Sequence, residues 1–161
     1  MALDGIKDGD LDLFVCSYVR WSPEIDRRLN YTLDGTHRAF GPPKNYAGST
    51  CALYRNDGGL TFTDVSAAAG LHVKNPDTGA LVAKALGLAF LDVDRDGAVD
   101  VFVANDTTAN FLFRNRGDGT FEEVAAERGR AYDLSGVAEA GMGLAIADLA
   151  GDRDVDLLVT N

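Results

Sequence analysis

The sequence predicts an all-β fold built from repeated units of four short antiparallel strands. Three observations carry this. The acidic residues are almost all aspartate, 20 against 5 glutamates, and glycine accounts for 18 of 161 residues. Asp and Gly rank low in helix propensity and favour turns. The apolar residues, 46% of the chain, come in short Val-, Leu- and Phe-rich runs bounded by Gly, Asp and Asn, as strands joined by tight turns do. The chain also repeats itself, which is a fold-level signal in its own right.

Leu53-Tyr54-Arg55-Asn56, followed by Thr61-Phe62-Thr63-Asp64-Val65, returns as Leu112-Phe113-Arg114-Asn115 and Thr120-Phe121-Glu122-Glu123-Val124. Gly70 and Gly129 keep the same spacing of 59 residues. Gly87-Leu88-Ala89-Phe90-Leu91-Asp92 returns as Gly143-Leu144-Ala145-Ile146-Ala147-Asp148. In the middle unit the strands are expected near residues 86–92 (A), 98–105 (B), 110–115 (C) and 120–125 (D). Arg116-Gly117-Asp118-Gly119 is a strong C–D turn. Four strands per repeat of roughly 40–60 residues is the pattern of a propeller blade.

The chain then divides into residues 1–65, a partial first blade with a long B–C insertion at 17–50; residues 66–125, a second blade with its preceding connection; and residues 126–161, half of a third. About two and a half blades make an incomplete propeller, since a closed ring needs roughly four or more. The chain therefore reads as a segment of a longer one. The alternative is that copies associate through their open blade edges to complete the ring.

Composition excludes other classes. A formal net charge of −10 argues against a nucleic-acid binder, which needs a basic surface to displace counterions. No apolar stretch approaches the length of a membrane span. Met1 runs straight into Ala2-Leu3-Asp4-Gly5 with no visible signal peptide.

The aspartates are patterned. Asp92, Asp94, Asp96 and Asp100 stand at positions 1, 3, 5 and 9 of one loop, with Gly97 at position 6. Alternate spacing lets carboxylates converge as the chain curls, and the carbonyl of Ala98 at position 7 can join them. Hard oxygen ligands at this density suit Ca²⁺, the expected cofactor. An EF-hand fits poorly, because position 12 is Val103 where a bidentate Glu is needed. The first loop offers Asp4, Asp8 and Asp12 but has Ile6 at position 3. The third offers Asp148, Asp152 and Asp156 but has Ala150 at position 3 and Arg153 at position 6.

The run Gly87 to Asn105 resembles an FG-GAP (VCBS-type) propeller repeat. The segments Asn105-Asp106-Thr107-Thr108-Ala109-Asn110, Ala140-Gly141-Met142-Gly143 and Tyr18-Val19-Arg20-Trp21-Ser22-Pro23 are similar to the ASPIC/UnbV, or cartilage-acidic-protein-like, group. The resemblance covers nearly the whole chain. It implies a larger propeller, secreted or surface-exposed, with calcium in the A–B loops at Asp92, Asp94, Asp96, Ala98 and Asp100. Ile6, Ala150 and Arg153 depart from that motif.

The insertion at 17–50 has its own character. Aligning the repeats sets Cys16 and Cys51 at its base, where their Cα atoms should lie close. A disulfide there would stabilise the fold by about 3–4 kcal/mol on the chain-entropy model, given an oxidising compartment. Two buried free thiols are the alternative. The insertion holds Tyr18, Trp21, Tyr31, Phe40 and Tyr46 with five basic and three acidic residues. Such a set serves a recognition surface or a lid packed on its own blade. In an up-and-down blade the B–C and D–A connections share one face, opposite the A–B loops. That face is the expected site for a protein or glycan ligand.

No nucleophile elbow, paired-histidine metal motif or phosphate loop occurs. The two histidines, His37 and His72, fall in connections. The function expected is a non-enzymatic, calcium-binding scaffold for binding or adhesion, extracellular or periplasmic. The alternative is the non-catalytic propeller portion of a larger secreted enzyme acting on polysaccharide or peptide.

Overall fold

The structure is a computed structural model and describes residues 2–6, 8–152 and 154–161. It is all-β apart from a seven-residue helix, α1 (Pro23–Leu29), and a three-residue 3-10 turn at Pro43–Asn45. The first sheet runs β1 (Ala2–Leu3), β2 (Asp12–Val15), β3 (Ala52–Asn56), β4 (Phe62–Asp64). The second runs β5 (Ala85–Leu91), β6 (Asp100–Asn105), β7 (Phe111–Asn115), β8 (Phe121–Glu123). The third is the antiparallel pair β9 (Gly143–Ala147) and β10 (Asp156–Thr160). Every pairing is antiparallel between neighbours in sequence. These are two four-stranded blades and half of a third, an incomplete propeller, and β1 is a short stub of strand A.

Strand alternation builds two cores from one blade. Successive side chains on a strand point to opposite faces. Val101 and Val103 of β6, with Phe111 and Phe113 of β7, face the first sheet and pack with Phe14, Leu53 and Leu71. Phe102, Ala104 and Leu112 face the other way, towards Leu144, Leu157 and Val159 of the third sheet. All six residues of β6 are consequently buried. Phe113 meets Phe111 at a ring-centroid distance of 5.5 Å and Phe14 at 6.4 Å, within the range of favourable aromatic pairs. Truncating any one of these three buried phenylalanines to alanine should cost about 3–5 kcal/mol.

Strand D ends earlier than the sequence predicts, at Glu123. The chain turns tightly there: Arg128 N–H donates to Val124 and Arg130 N–H to Ala125. The first blade repeats this turn, with Ala69 donating to Val65 and Leu71 to Ser66. Gly70 and Gly129 close the two turns at φ of 83° and 65°.

The insertion is tied to the second blade through B–C and D–A segments. Val19 bridges Gly48 within the insertion, and Ser49 bridges Ala83 outside it. Gly48 lies so close to Val82 that a Cβ would fall 2.8 Å from its backbone. The Lys84 ammonium donates to the Pro43 carbonyl at 3.0 Å, and the Tyr18 hydroxyl donates to the Asp106 carboxylate. Helix α1 starts where Ser22 Oγ accepts from Ile25 N–H at 3.2 Å, with proline in the first turn, a favoured start. It presents Asp26 inward, where the carboxylate accepts from Arg38 and, at 2.7 Å, from the Tyr46 hydroxyl. The small core of the insertion is thus polar at its centre.

The two repeated turns make different predictions. Alanine in a left-handed turn costs about 1–2 kcal/mol, and Gly129→Ala should cost that much, since its Cβ would meet nothing. Gly70→Ala should cost roughly 1–3 kcal/mol more, because its Cβ would fall 2.6 Å from the Phe121 carbonyl oxygen. Equilibrium denaturant unfolding of the two variants would measure the difference, and equal losses would contradict it.

Candidate metal centre

The three A–B loops share one hydrogen-bonding scheme. At position 1, Asp4, Asp92 and Asp148 each accept from the backbone N–H of position 5, at 3.1, 3.2 and 3.1 Å. At position 5, Asp8, Asp96 and Asp152 each accept from the N–H of position 7, at 3.1, 2.7 and 2.9 Å. At position 9, Asp12, Asp100 and Asp156 reach back to the N–H of position 2: Gly5, Val93 and Leu149. Short carboxylates that bond nearby backbone are the reason Asp favours turns.

Position 9 also ties the loop to strand C. Asp12 accepts from Asn56 N–H at 3.0 Å and Asp100 from Asn115 N–H at 2.8 Å. Both aspartates are fully buried. The asparagines then reach outward. Asn115 Nδ2 donates to Val99 O and, across to the first blade, to Gly5 O at 3.1 Å.

The loops differ at position 3. Asp94 has no hydrogen bond to a described residue, whereas the carboxylates at positions 1, 5 and 9 hold their own loop together. Carboxylate oxygens of Asp92, Asp94 and Asp100 lie within 4.8 Å of one another. This is the only such group among the described residues. Asp96 stands beside it with one oxygen turned to Ala98 N–H. In the first loop Ile6 occupies position 3 and packs against the C–D turn, 3.1 Å from where a Gly119 Cβ would stand. In the third loop Ala150 offers no ligand, and Arg153 lies outside the described residues. Arg95 of the middle loop pairs with Asp154 of the third, joining neighbouring loops.

The electrostatics fit a cation. Burial pushes the Asp100 carboxyl above its ordinary range, and the charges of Asp94 and Asp96 push it further. Two backbone N–H bonds oppose this. A hard divalent cation among these oxygens would relieve the repulsion, and every donor in the set is oxygen. Sequence reasoning singled out this loop, and the structure brings three of its carboxylates together. The sequence did not show that positions 1, 5 and 9 are already engaged by backbone, a role that residue type alone cannot reveal.

The cysteines stand at the end of the β2–β3 ladder. Val15 pairs with Ala52, and the next residues outward are Cys16 and Cys51. Both are free thiols, hydrogen-bonded to each other. The bond from Cys51 holds the Cys16 thiol below its ordinary range, and it pushes Cys51 up, with burial adding to the rise.

Removing position 9 should cost stability without any metal. Asp100→Ala leaves the amides of Val93 and Asn115 without their acceptor, and the loss should be about 2–4 kcal/mol in EDTA. Asp156→Ala, in a more exposed loop, should cost about 1 kcal/mol or less. Thermal melts of both variants in EDTA would test this order.

Residues 92–159 match the family model of the FG-GAP-like repeat. Cartilage acidic protein 1 of Xenopus tropicalis is 35% identical over 102 residues, and that of Homo sapiens is 36% identical over the same length. Each match covers 63% of this chain and 14% of the relative, so the chain spans a small part of the curated relatives' length. Residues 92–159, which hold the Asp92–Asp94–Asp100 cluster, thus match the FG-GAP-like repeat, in a chain similar to cartilage acidic protein 1.

Proposed function

We propose that the chain is a calcium-stabilised propeller segment of an extracellular, non-enzymatic binding scaffold. The observation that carries this is Asp94, a carboxylate set beside Asp92 and Asp100 with no hydrogen bond to a described residue. Calcium in the middle loop would take oxygens from Asp92, Asp94 and Asp100, joined by Asp96 and the Ala98 carbonyl. Its role is structural: it offsets the repulsion at Asp100 and locks β5 to β6. The first and third loops close by the same backbone bonds without a carboxylate at position 3, so the middle loop is the calcium site that the geometry favours.

The extracellular reading draws on the likeness to cartilage acidic protein 1. In the described residues no helix is long and apolar enough to cross a membrane. The ligand side is the face of the insertion. The insertion bonds to residues of the B–C and D–A connections, while Gly5 and Ile6 meet Asn115 and the C–D turn. The connections therefore sort into two separate sets. An oxidising setting would also join Cys16 to Cys51, which face each other at the end of the β2–β3 ladder.

Two measurements test this. Calorimetric titration should find one Ca²⁺ site, and Asp94→Ala should lose it while melting at the wild-type temperature in EDTA. Unchanged Ca²⁺ binding by Asp94→Ala would remove the central claim. Material exported to an oxidising compartment should show no reactive thiol. After reduction Cys16 should be alkylated before Cys51, because its thiol is held low and is less buried.

A further inference from the structure

Within the insertion lies an aromatic cleft of about 430 Å³. Tyr18, Trp21, Phe40 and Tyr46 wall it, with Gly41 and Pro43. The volume lies in the range of small-ligand sites. Trp21 is 51% and Phe40 77% exposed, whereas Tyr46 is buried. The cleft therefore has an open rim and a fixed floor.

The hydroxyls at that floor are already committed. Tyr46 donates to Asp26 and Tyr18 to Asp106. Both carboxylates have a cation at hand. Arg38 bonds Asp26, and Lys84, within the field of Asp106, donates to Pro43 O. Behind the rings the charges balance. In front of them the cleft offers aromatic faces and few hydrogen-bonding atoms.

That chemistry selects among ligands. A sugar brings a hydroxyl on almost every carbon, and a peptide brings an N–H and a C=O at each residue. Groups of either kind desolvated without partners are costly. A cation clothed in methyl groups asks for no hydrogen bond and is drawn to aromatic faces. A phenol that donates to a carboxylate gains electron density in its ring, which strengthens this attraction. The insertion itself carries five basic and three acidic residues, so the attraction comes from the aromatic rings and not from its net charge.

We propose that this cleft is an aromatic cage for a small quaternary ammonium ion of the choline type. The proposal rests on the reading of the insertion face as the ligand side and names the occupant of one cleft there. It does not depend on calcium.

Trp21 is the single tryptophan of the chain, so its fluorescence reports directly on the cleft. Choline chloride titrated onto the full chain should give a saturable change. The neutral isostere 3,3-dimethyl-1-butanol should bind about ten-fold more weakly. Phe40→Ala, at an exposed position, should weaken choline about ten-fold, and Tyr18→Phe, which keeps the ring but not the donated proton, several-fold. Circular dichroism checks that each variant folds, and Phe40→Ala decides alone if Tyr18→Phe does not. Phosphatidylcholine vesicles in a flotation arm separate the sources. Choline binding without flotation assigns a free ligand, choline binding with flotation a lipid headgroup, and both support the cage. Equal affinity for the isostere overturns it. So does a methyl glycoside or proline-rich peptide that shifts Trp21 where choline does not. The titration is repeated in EDTA. Choline binding without any Ca²⁺ binding would sink the calcium reading alone, and Ca²⁺ binding without choline binding would sink the cage alone.

Discussion

A buried relay of two aspartates and two asparagines holds the first two blades in register. Asp100 takes the amide of Asn115, whose side chain donates to the carbonyl of Gly5. The Gly5 amide donates to Asp12, and Asp12 takes the amide of Asn56. Asp12, Asp100 and Asn115 are fully buried. Carboxylates in such a position are tolerable because their oxygens accept hydrogen bonds. Each step crosses a boundary: loop to strand C, strand C to the next blade's loop, loop to its own strand B. Without the relay the A–B loops would have no fixed place relative to the sheets.

The apolar cores could not supply that register alone. Hydrophobic burial is non-directional, and β6 gives one face to each core. A sheet clamped on both faces can still slide. Directional bonds at its end set the position, and they also set the candidate cation site. Asp100 belongs to the relay and to the Asp92–Asp94–Asp100 cluster at once. A cation there would act on the blade joint through the same carboxylate. In the first blade Ile6 replaces the ligand and packs on the neighbouring turn, so an apolar contact occupies the place that the middle loop gives to Asp94.

Much of this was legible in the residues. The strand runs were readable because the Val-, Leu- and Phe-rich runs are short and the Gly-Asp turns that bound them are sharp. The strands of the middle blade start and stop within two residues of expectation, strand D's early end at Glu123 included. The middle loop was readable because ligand spacing is a local property. Helix α1 was not anticipated, although Ser22-Pro23-Glu24 carries the signals of a helix start; the surrounding aromatics and prolines masked them. The polar centre of the insertion, Asp26 with Arg38 and Tyr46, could not be read. It joins residues 12 and 20 positions apart with no periodic pattern between them. The insertion proved to be neither a pure lid nor a pure recognition surface, since Tyr46 is buried while Trp21 and Phe40 stand in solvent.

The aspartate excess has a structural explanation that precedes any metal. Twelve of the 20 aspartates lie in or beside the three A–B loops, and positions 1, 5 and 9 of each loop accept backbone hydrogen bonds. Glutamate would reach past these amides, and asparagine would trade an ionised acceptor, which makes the stronger bond, for a neutral one. The loops therefore select aspartate for turn geometry first. A cation site then needs little more than a carboxylate at position 3, as Asp94 supplies. Gain or loss of metal in such a repeat can turn on one residue while the fold stays, because the bonds that shape the loop are made without it.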